Sequence, residues 1–205
     1  MIKIAVTGPS GSGKSTLIKI LADKGYPVID CDIIAHQLQN PGELCYLDLV
    51  EAFGTDILNE DNTINRKILA KKAFSDKENT VKLNSITHHH ILDKVNSLCI
   101  YYQGEGSKCV FIEAGALFES GLDKECNRII MITSSRDNLI SRICSRDGIE
   151  EEAANLRLDA QKDISFIIER SHLILFNNYK RAILDLFADL IISKIGVWGG
   201  IYEQE

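Results

Sequence analysis

Three glycines, three serines and a lysine near the start of the chain have the types and the spacing of a phosphate-binding loop. Residues 8–15 read GPSGSGKS and satisfy the pattern G-x-x-x-x-G-K-[ST]. In this pattern backbone N–H groups point inward around a phosphate, and glycines keep side chains out of that space. The lysine can reach the β- and γ-phosphates, and the last hydroxyl can hold Mg²⁺. The segment therefore predicts a nucleoside triphosphate site.

The predicted ligands of the triphosphate lie in this loop and directly after it. They are Gly8, Ser10, Gly11, Ser12, Gly13, Lys14, Ser15 and Thr16, with Ser15 also assigned to Mg²⁺. The alternative interpretation is a flexible Gly/Ser turn that binds nothing. The context favours the binding site, because an apolar strand-like segment precedes the loop and a helical segment follows it.

Two aspartates, Asp30 and Asp32, follow the second apolar segment of the chain. Ligands of an open parallel sheet gather at the carboxyl ends of its strands, so we expect both carboxylates beside the phosphate loop. One could accept a proton from an acceptor hydroxyl, and the other could bind Mg²⁺ through water or hold the loop. The alternative is that Asp32 only caps a helix. The residue types do not say which aspartate is the base.

The chain alternates short apolar segments with helical ones. Strands are predicted at residues 2–6, 26–30, 109–113, 128–133 and 171–176, and helices at residues 15–24, 33–39, 43–53, 136–145, 150–163 and 180–195, with two more within residues 65–96. This alternation predicts βαβ units around a parallel sheet. A helical stretch at residues 41–103 interrupts it and predicts a subdomain. The predicted fold class is α/β, a three-layer α/β/α arrangement of the P-loop NTPase type.

The composition argues against several classes of protein. The 205 residues carry a formal net charge of −6, so no overall basic field attracts nucleic acid. The apolar segment at residues 2–6 is too short for a membrane span or a secretory signal. The six cysteines have no C-x-x-C spacing, which argues against a zinc site and against disulfides. We expect a cytoplasmic monomer or small homo-oligomer that binds small molecules, and neither nucleic acid nor a membrane.

A series of short motifs resembles the dephospho-coenzyme A kinase family. After TGPSGSGKST come GYPVIDCDIIAHQL, PGELCYLDLVEAFGTDIL, INRKIL, LNSITH and LFE, then the spaced pairs Arg142/Arg146 and Arg157/Gln161, and then Asn177. Most of these motifs are weak alone, but their order is specific. The resemblance extends from about Ile4 to the final helix.

The resemblance implies transfer of the γ-phosphoryl group of ATP to the ribose 3′-hydroxyl of dephospho-CoA, the last step of coenzyme A synthesis, with Mg²⁺ as cofactor. It implies that Asp32 is the general base and that Lys14 and Arg142 are the other catalytic residues. The remaining implied ligands are Arg146 and Asn177 for ATP, with Asn177 near the adenine, and Arg66, His88 and Leu117, together with Asp32, for the acceptor.

The resemblance also implies how a single P-loop kinase domain, residues 1–205, is organised. Its core comprises residues 1–40 and 107–205, its helical acceptor-binding subdomain about 41–106, and its lid about 136–160. Arg142 and Arg146 belong to the predicted lid, where a planar guanidinium can hold two phosphate oxygens. The alternative for each arginine is a solvated surface charge.

Two segments depart from the family pattern. Residues 88–90 are three histidines where the family has His-Pro, and adjacent helical residues point about 100° apart, so we do not expect them to chelate one metal ion. Residues 113–119 read EAGALFE where the family has D-[VI]-P-L-L-F-E, which loosens the wall assigned to the acceptor pocket. Two further functions therefore stay open: a kinase for another small acceptor, such as a nucleoside or nucleoside monophosphate, and a non-catalytic nucleotide-binding module.

Overall fold

A five-stranded sheet, with the strand order β2-β3-β1-β4-β5, forms the frame of the computed structural model, which describes residues 1–178 and 182–199. The strands are β1 (Ile2–Thr7), β2 (Val28–Asp30), β3 (Cys109–Glu113), β4 (Arg128–Thr133) and β5 (Leu173–Phe176). Strand β1 pairs in parallel with β3 and β4, and β4 pairs in parallel with β5. The predicted α/β class with a parallel central sheet is confirmed.

The helices connect these strands and fill the predicted helical stretch. They are α1 (Lys14–Asp23), α2 (Cys31–Gln37), α3 (Leu44–Phe53), α4 (Arg66–Ala73), α5 (Lys77–Gly104), α6 (Arg136–Asp147), α7 (Glu151–Asp159), α8 (Ile164–Arg170) and α9 (Ala182–Trp198). The helix predicted over residues 150–163 is present but ends earlier, and α8 was not predicted. Helix α7 ends at Asp159, and α8 begins after Asp163, whose side chain caps it by accepting a hydrogen bond from the Ser165 N–H. No glycine or proline marks this break in the sequence.

The central strand is buried on both of its faces. Ile4, Ala5 and Val6 follow one another in β1 and are 0% exposed. Because successive side chains of a strand point to opposite faces, other elements cover the sheet on both sides. On one side, Ile4 and Val6 pack in a cluster with residues of α1 and α9, including Leu17, Leu21, Ala188 and Ile191. The layered arrangement therefore follows from near-continuous apolar strands.

Contacts divide the chain into two compact units. The first unit is Met1–Ile29 with Tyr101–Glu205, and the second is Asp30–Ile100. The second unit starts at the end of β2, where the chain leaves the sheet at Asp30 and turns directly into α2, and it ends within α5. The predicted division into a core, an acceptor subdomain and a lid stays a prediction.

The second unit has its own small core and its own polar ties. Leu49 of α3, Leu69 and Ala73 of α4, and Ile57 in the short 3₁₀ turn between these helices are buried. The Lys72 ammonium donates to the Phe53 carbonyl at 2.8 Å and pairs with Asp56 at 2.5 Å.

Among the described residues, no helix combines the length and the apolar character needed to cross a bilayer.

Candidate active site

The three loop glycines occupy backbone conformations and spaces that no larger residue would fit. Gly8, Gly11 and Gly13 have φ angles of +142°, +78° and +103°. A Cβ on Gly8 would lie 1.9 Å from the Ile132 carbonyl oxygen, and a Cβ on Gly13 would lie 2.6 Å from the Asn177 amide nitrogen. Glycine is therefore required for two reasons. A larger residue would clash with the protein behind the loop, and its side chain would reduce the space for a phosphate. This cradle fits a phosphate group.

Lys14 begins α1 and its side chain folds back across the loop. The ammonium donates to the carbonyl oxygens of Gly8 at 2.8 Å and of Pro9 at 3.1 Å. These bonds hold a positive charge at the loop, where the N-terminal end of α1 adds its own partial positive charge. Helix α1 has no acidic residue in its first turn that would offset this charge. The loop is therefore arranged for a polyanion.

Ser15 and Glu113 form an oxygen pair next to the loop. The Ser15 hydroxyl donates to the Glu113 carboxylate at 2.7 Å, and Glu113 ends β3 with only 4% of its surface exposed. A carboxylate and a hydroxyl are the hard oxygen ligands that Mg²⁺ prefers. The residues present therefore fit a magnesium ion. Glu113, noted in the sequence as a departure from aspartate, keeps an acid at this strand end.

Asn177 supports the loop from behind. Its side-chain amide donates to the Ser12 carbonyl at 2.8 Å, and its own carbonyl accepts hydrogen bonds from the Ser134 hydroxyl and an Arg142 guanidinium N–H, both at 2.8 Å. Asn177 is 4% exposed, so its side chain is committed to the loop. The expected position near the adenine stays a prediction. The structure assigns the residue a role that its motif did not reveal.

The two arginines predicted for the lid both reach the phosphate loop from α6. Arg142 donates to the Gly11 carbonyl at 3.2 Å, and Arg146 donates to the Ser10 hydroxyl at 3.4 Å. Helix α6 packs directly on the loop, because a Cβ on Gly11 would lie 2.9 Å from the Leu139 carbonyl oxygen. Arg142 is half-buried, so its interpretation as a solvated surface charge is not supported, whereas the Arg146 side chain is largely exposed and its role stays a prediction.

Two residues at the loop were missed as site residues. The Gln161 side chain accepts a hydrogen bond from the Ser10 backbone N–H at 3.1 Å, and Asp147 forms ion pairs with Arg146 and Arg157. The hydrogen bond with Arg146 lowers the pKa of Asp147 to about 2. The spacing of Arg157 and Gln161 had been noted in the sequence, but only the fold shows that the segment containing them contacts the loop.

Asp30, and not Asp32, caps the helix that follows β2. The Asp30 carboxylate accepts hydrogen bonds from the backbone N–H groups of Asp32 at 2.9 Å and Ile33 at 3.0 Å. The alternative in which Asp32 is the cap is therefore wrong. Asp32 lies in the first turn of α2 and is exposed, so its carboxylate is not committed to the backbone there.

The residues predicted for the acceptor have different surroundings. Arg66 is exposed at the first position of α4, after the cap Asn65, and His88 is half-buried on α5. Leu117 is 0% exposed among the residues that the structure describes, and its predicted contact with the acceptor stays a prediction. An apolar side chain at this position is more stable in the core than at a solvated pocket.

The other two histidines of the run face separate aspartates. His90 lies 2.6 Å from Asp48, and His89 lies 3.5 Å from Asp93. Adjacent helical residues point in different directions, so each ring meets a partner of its own. These contacts assign His89 and His90 to local polar pairs within the second unit.

Comparisons with known proteins cover most of the chain. The family model described as dephospho-CoA kinase matches residues 2–182. A dephospho-CoA kinase of Corynebacterium efficiens is 34% identical over 195 residues, which are 95% of this chain and 98% of that protein. The structure of a dephospho-CoA kinase from Campylobacter jejuni has a TM-score of 0.70 and 29% identity, over 94% of this chain and 96% of its own. The protein TT1252 from Thermus thermophilus has a TM-score of 0.77 and 26% identity, over 94% of this chain and 95% of its own.

Proposed function

The chain belongs to the dephospho-CoA kinase family and is an ATP-dependent kinase, and we propose that it transfers the γ-phosphoryl group of ATP to the ribose 3′-hydroxyl of dephospho-CoA, which gives coenzyme A. The observation that carries this proposal is the assembled phosphate site of the first unit. Its glycine loop is surrounded by Lys14, the Ser15–Glu113 pair and two arginines of α6. Phosphoryl transfer needs this combination of positioning and positive charge.

The nucleotide half of the proposed mechanism rests on the loop. Its backbone N–H groups and the start of α1 bind the β- and γ-phosphates, and Lys14 exchanges loop carbonyls for phosphate oxygens. Arg142 and Arg146 add positive charge where negative charge spreads over the transferred group. Arg142 also donates a hydrogen bond to the Gly11 carbonyl of the loop. This bond fixes both the loop and the position of the guanidinium charge beside it.

Ser15 and Glu113 are proposed to hold Mg²⁺, either directly or through water. When bound, the ion neutralises charge on the β- and γ-phosphates. Glu113 accepts a hydrogen bond from the Ser15 hydroxyl, which leaves the lone pairs of that oxygen for a cation. Burial of Glu113 at the end of β3 keeps this arrangement in one orientation.

The acceptor half of the proposed mechanism rests on Asp32. Its carboxylate accepts the proton of the ribose 3′-hydroxyl as that oxygen attacks the γ-phosphorus, and the bond from this phosphorus to the β–γ bridging oxygen breaks to release ADP. The capping bonds of Asp30 support this choice, since they engage one carboxylate and fix the first turn of α2 that carries the other. Arg66 and His88 are proposed to bind the acceptor. A cytoplasmic location and a monomer or small homo-oligomer stay predictions.

A panel of acceptors tests the proposal. The purified protein is incubated with ATP, Mg²⁺ and one of dephospho-CoA, adenosine, adenosine monophosphate or no acceptor, and the release of ADP is followed. We expect ADP release only with dephospho-CoA, and tandem mass spectrometry should locate one added phosphoryl group on its ribose. Equal ADP release with and without an acceptor, or phosphorylation of the nucleoside alone, would contradict the proposal.

A further inference from the structure

A cluster of three charged side chains lies where α6 and α7 meet the phosphate loop. Asp147, the last residue of α6, accepts hydrogen bonds from the Arg146 guanidinium at 2.7 and 2.9 Å. A guanidinium N–H of Arg157 on α7 donates to the same carboxylate. Arg146 also reaches the Ser10 hydroxyl of the loop at 3.4 Å. One carboxylate therefore joins two arginines next to the cradle.

The carboxylate changes what the two arginines can do. Two guanidinium groups repel each other, and the negative charge between them offsets that repulsion. The paired bonds to Arg146 also fix the plane of its guanidinium. The arginine side chains remain 56% and 48% exposed, whereas the Asp147 side chain is 25% exposed. N–H groups of both arginines are thus left for a phosphate.

A second bond attaches the same region to the loop. Gln161 follows α7 and accepts a hydrogen bond from the Ser10 backbone N–H at 3.1 Å. Ser10 therefore contacts Arg146 through its hydroxyl and Gln161 through its amide. The bond of Arg146 orients its guanidinium relative to the cradle, and the bond of Gln161 attaches to the same loop residue the segment that follows Arg157.

We propose that Asp147 is a positioning residue that holds Arg146 and Arg157 side by side so that both guanidiniums bind the terminal phosphates of ATP in the transition state. The inference rests on the proposed function, because the arginines act on a phosphoryl group in transit. Asp147 is itself an anion near a polyanionic ligand, so it does not favour ATP in the ground state. Its benefit is confined to the rate, which separates it from a simple binding residue.

The variant Asp147→Asn tests this role, with Asp159→Asn as its matched control. Asp159 pairs with Arg136 across the same two helices, and its side chain is 62% exposed. We expect Asp147→Asn to lower kcat by about 10- to 100-fold, as small misplacements of positioning groups do, while the KM for ATP stays the same or falls. Asp147→Glu should recover at least half of the loss on a logarithmic scale. The control should stay within twofold of the unaltered protein.

A double-mutant cycle shows whether Asp147 acts through the arginines. If it does, Asp147→Asn should lower kcat much less in the Arg157→Ala background than in the unaltered protein. An unchanged kcat, a KM for ATP that rises in parallel with the loss of kcat, an Asp147→Glu variant no better than Asn, or full additivity would each overturn the proposal. Titration with a fluorescent ATP analogue confirms that each variant is folded. Failure of the unaltered protein to phosphorylate dephospho-CoA would instead refute the proposed function.

Discussion

The phosphate loop and two of the residues predicted for the acceptor, Asp32 and Arg66, differ in how firmly the protein holds them. In the phosphate loop, Ser10, Gly11 and Ser12 each bond to a different distant partner. In the second unit, Asp32 and Arg66 are exposed near the starts of two helices. A polyphosphate is the same in every catalytic cycle and rewards a preformed cradle, whereas we expect the side chains of Asp32 and Arg66 to become ordered only when a substrate binds.

The largest expected effect is a loss of kcat when the proposed general base on the acceptor side is replaced. Asp32→Asn should lower kcat by about 10²- to 10⁴-fold, because a general base contributes that much. The dissociation constant for ATP should change less than twofold, as measured by calorimetry. If the two regions act separately, this variant loses rate without losing affinity for ATP.

Asp30→Ser is the control for this variant. Serine keeps a capping oxygen at the start of α2, so the variant should retain most of its activity. A loss of kcat in Asp30→Ser as large as that in Asp32→Asn would show that Asp30 is the base.

A smaller but still large effect is expected at Arg142. Arg142→Ala should lower kcat by roughly 10²-fold or more, because its charge is proposed to stabilise the transferred group and its guanidinium donates to the Gly11 carbonyl. Arg66→Ala should instead raise the KM for dephospho-CoA and leave the KM for ATP unchanged. Steady-state kinetics with each substrate varied in turn distinguish the two arginines. A change below twofold in the kcat of Arg142→Ala would refute its role.

The preformed character of the loop can be broken at one glycine. Gly8→Ala places a Cβ 1.9 Å from a backbone oxygen, so we expect the free energy of unfolding to fall by about 3 kcal/mol and ATP binding to be lost. Gly25→Ala is the control, since Gly25 also has a positive φ of +88° but no atom within 4 Å of its Cβ position. Strain alone should cost that variant about 1 kcal/mol. Equal losses in urea unfolding would contradict the packing argument.

The smallest expected effect concerns the cores of the two units, each of which contains a buried cysteine. Burial raises the pKa of Cys109 in β3 and of Cys45 in α3, each to about 11. The unfolded chain ionises these thiols first, so the free energy of unfolding should fall as the pH rises from about 9 toward 11, by about 1 kcal/mol for each thiol between pH 8 and 10. Cys109→Ala and Cys45→Ala should each remove about half of this dependence.

Urea unfolding of the three proteins at both pH values measures this effect. If each cysteine accounts for about half of the pH dependence, both cores exclude water. The two units then differ only at their functional surfaces. A Cys45→Ala variant with the full pH dependence of the unaltered protein would show instead that the core of the second unit is hydrated.

Local patterns in the sequence predict much of this molecule, and contacts between distant segments explain the rest. The loop and the strands were predictable, because glycine spacing and apolar runs express backbone geometry directly. The cap at Asp30 was not, since either aspartate has the chemistry of a cap. The bonds of Asn177 and Gln161 to the loop join segments far apart in sequence, so no local pattern contains them.

The fate of the γ-phosphoryl group tests the central claim most directly. The protein is incubated with ATP carrying a γ-label, Mg²⁺ and dephospho-CoA, and the products are followed by phosphorus NMR and mass spectrometry. We predict that the label appears on the ribose 3′-oxygen of coenzyme A, and that Asp32→Asn slows this transfer by about 10²- to 10⁴-fold while ATP stays bound. Label released as inorganic phosphate at the same rate with and without dephospho-CoA would contradict the account.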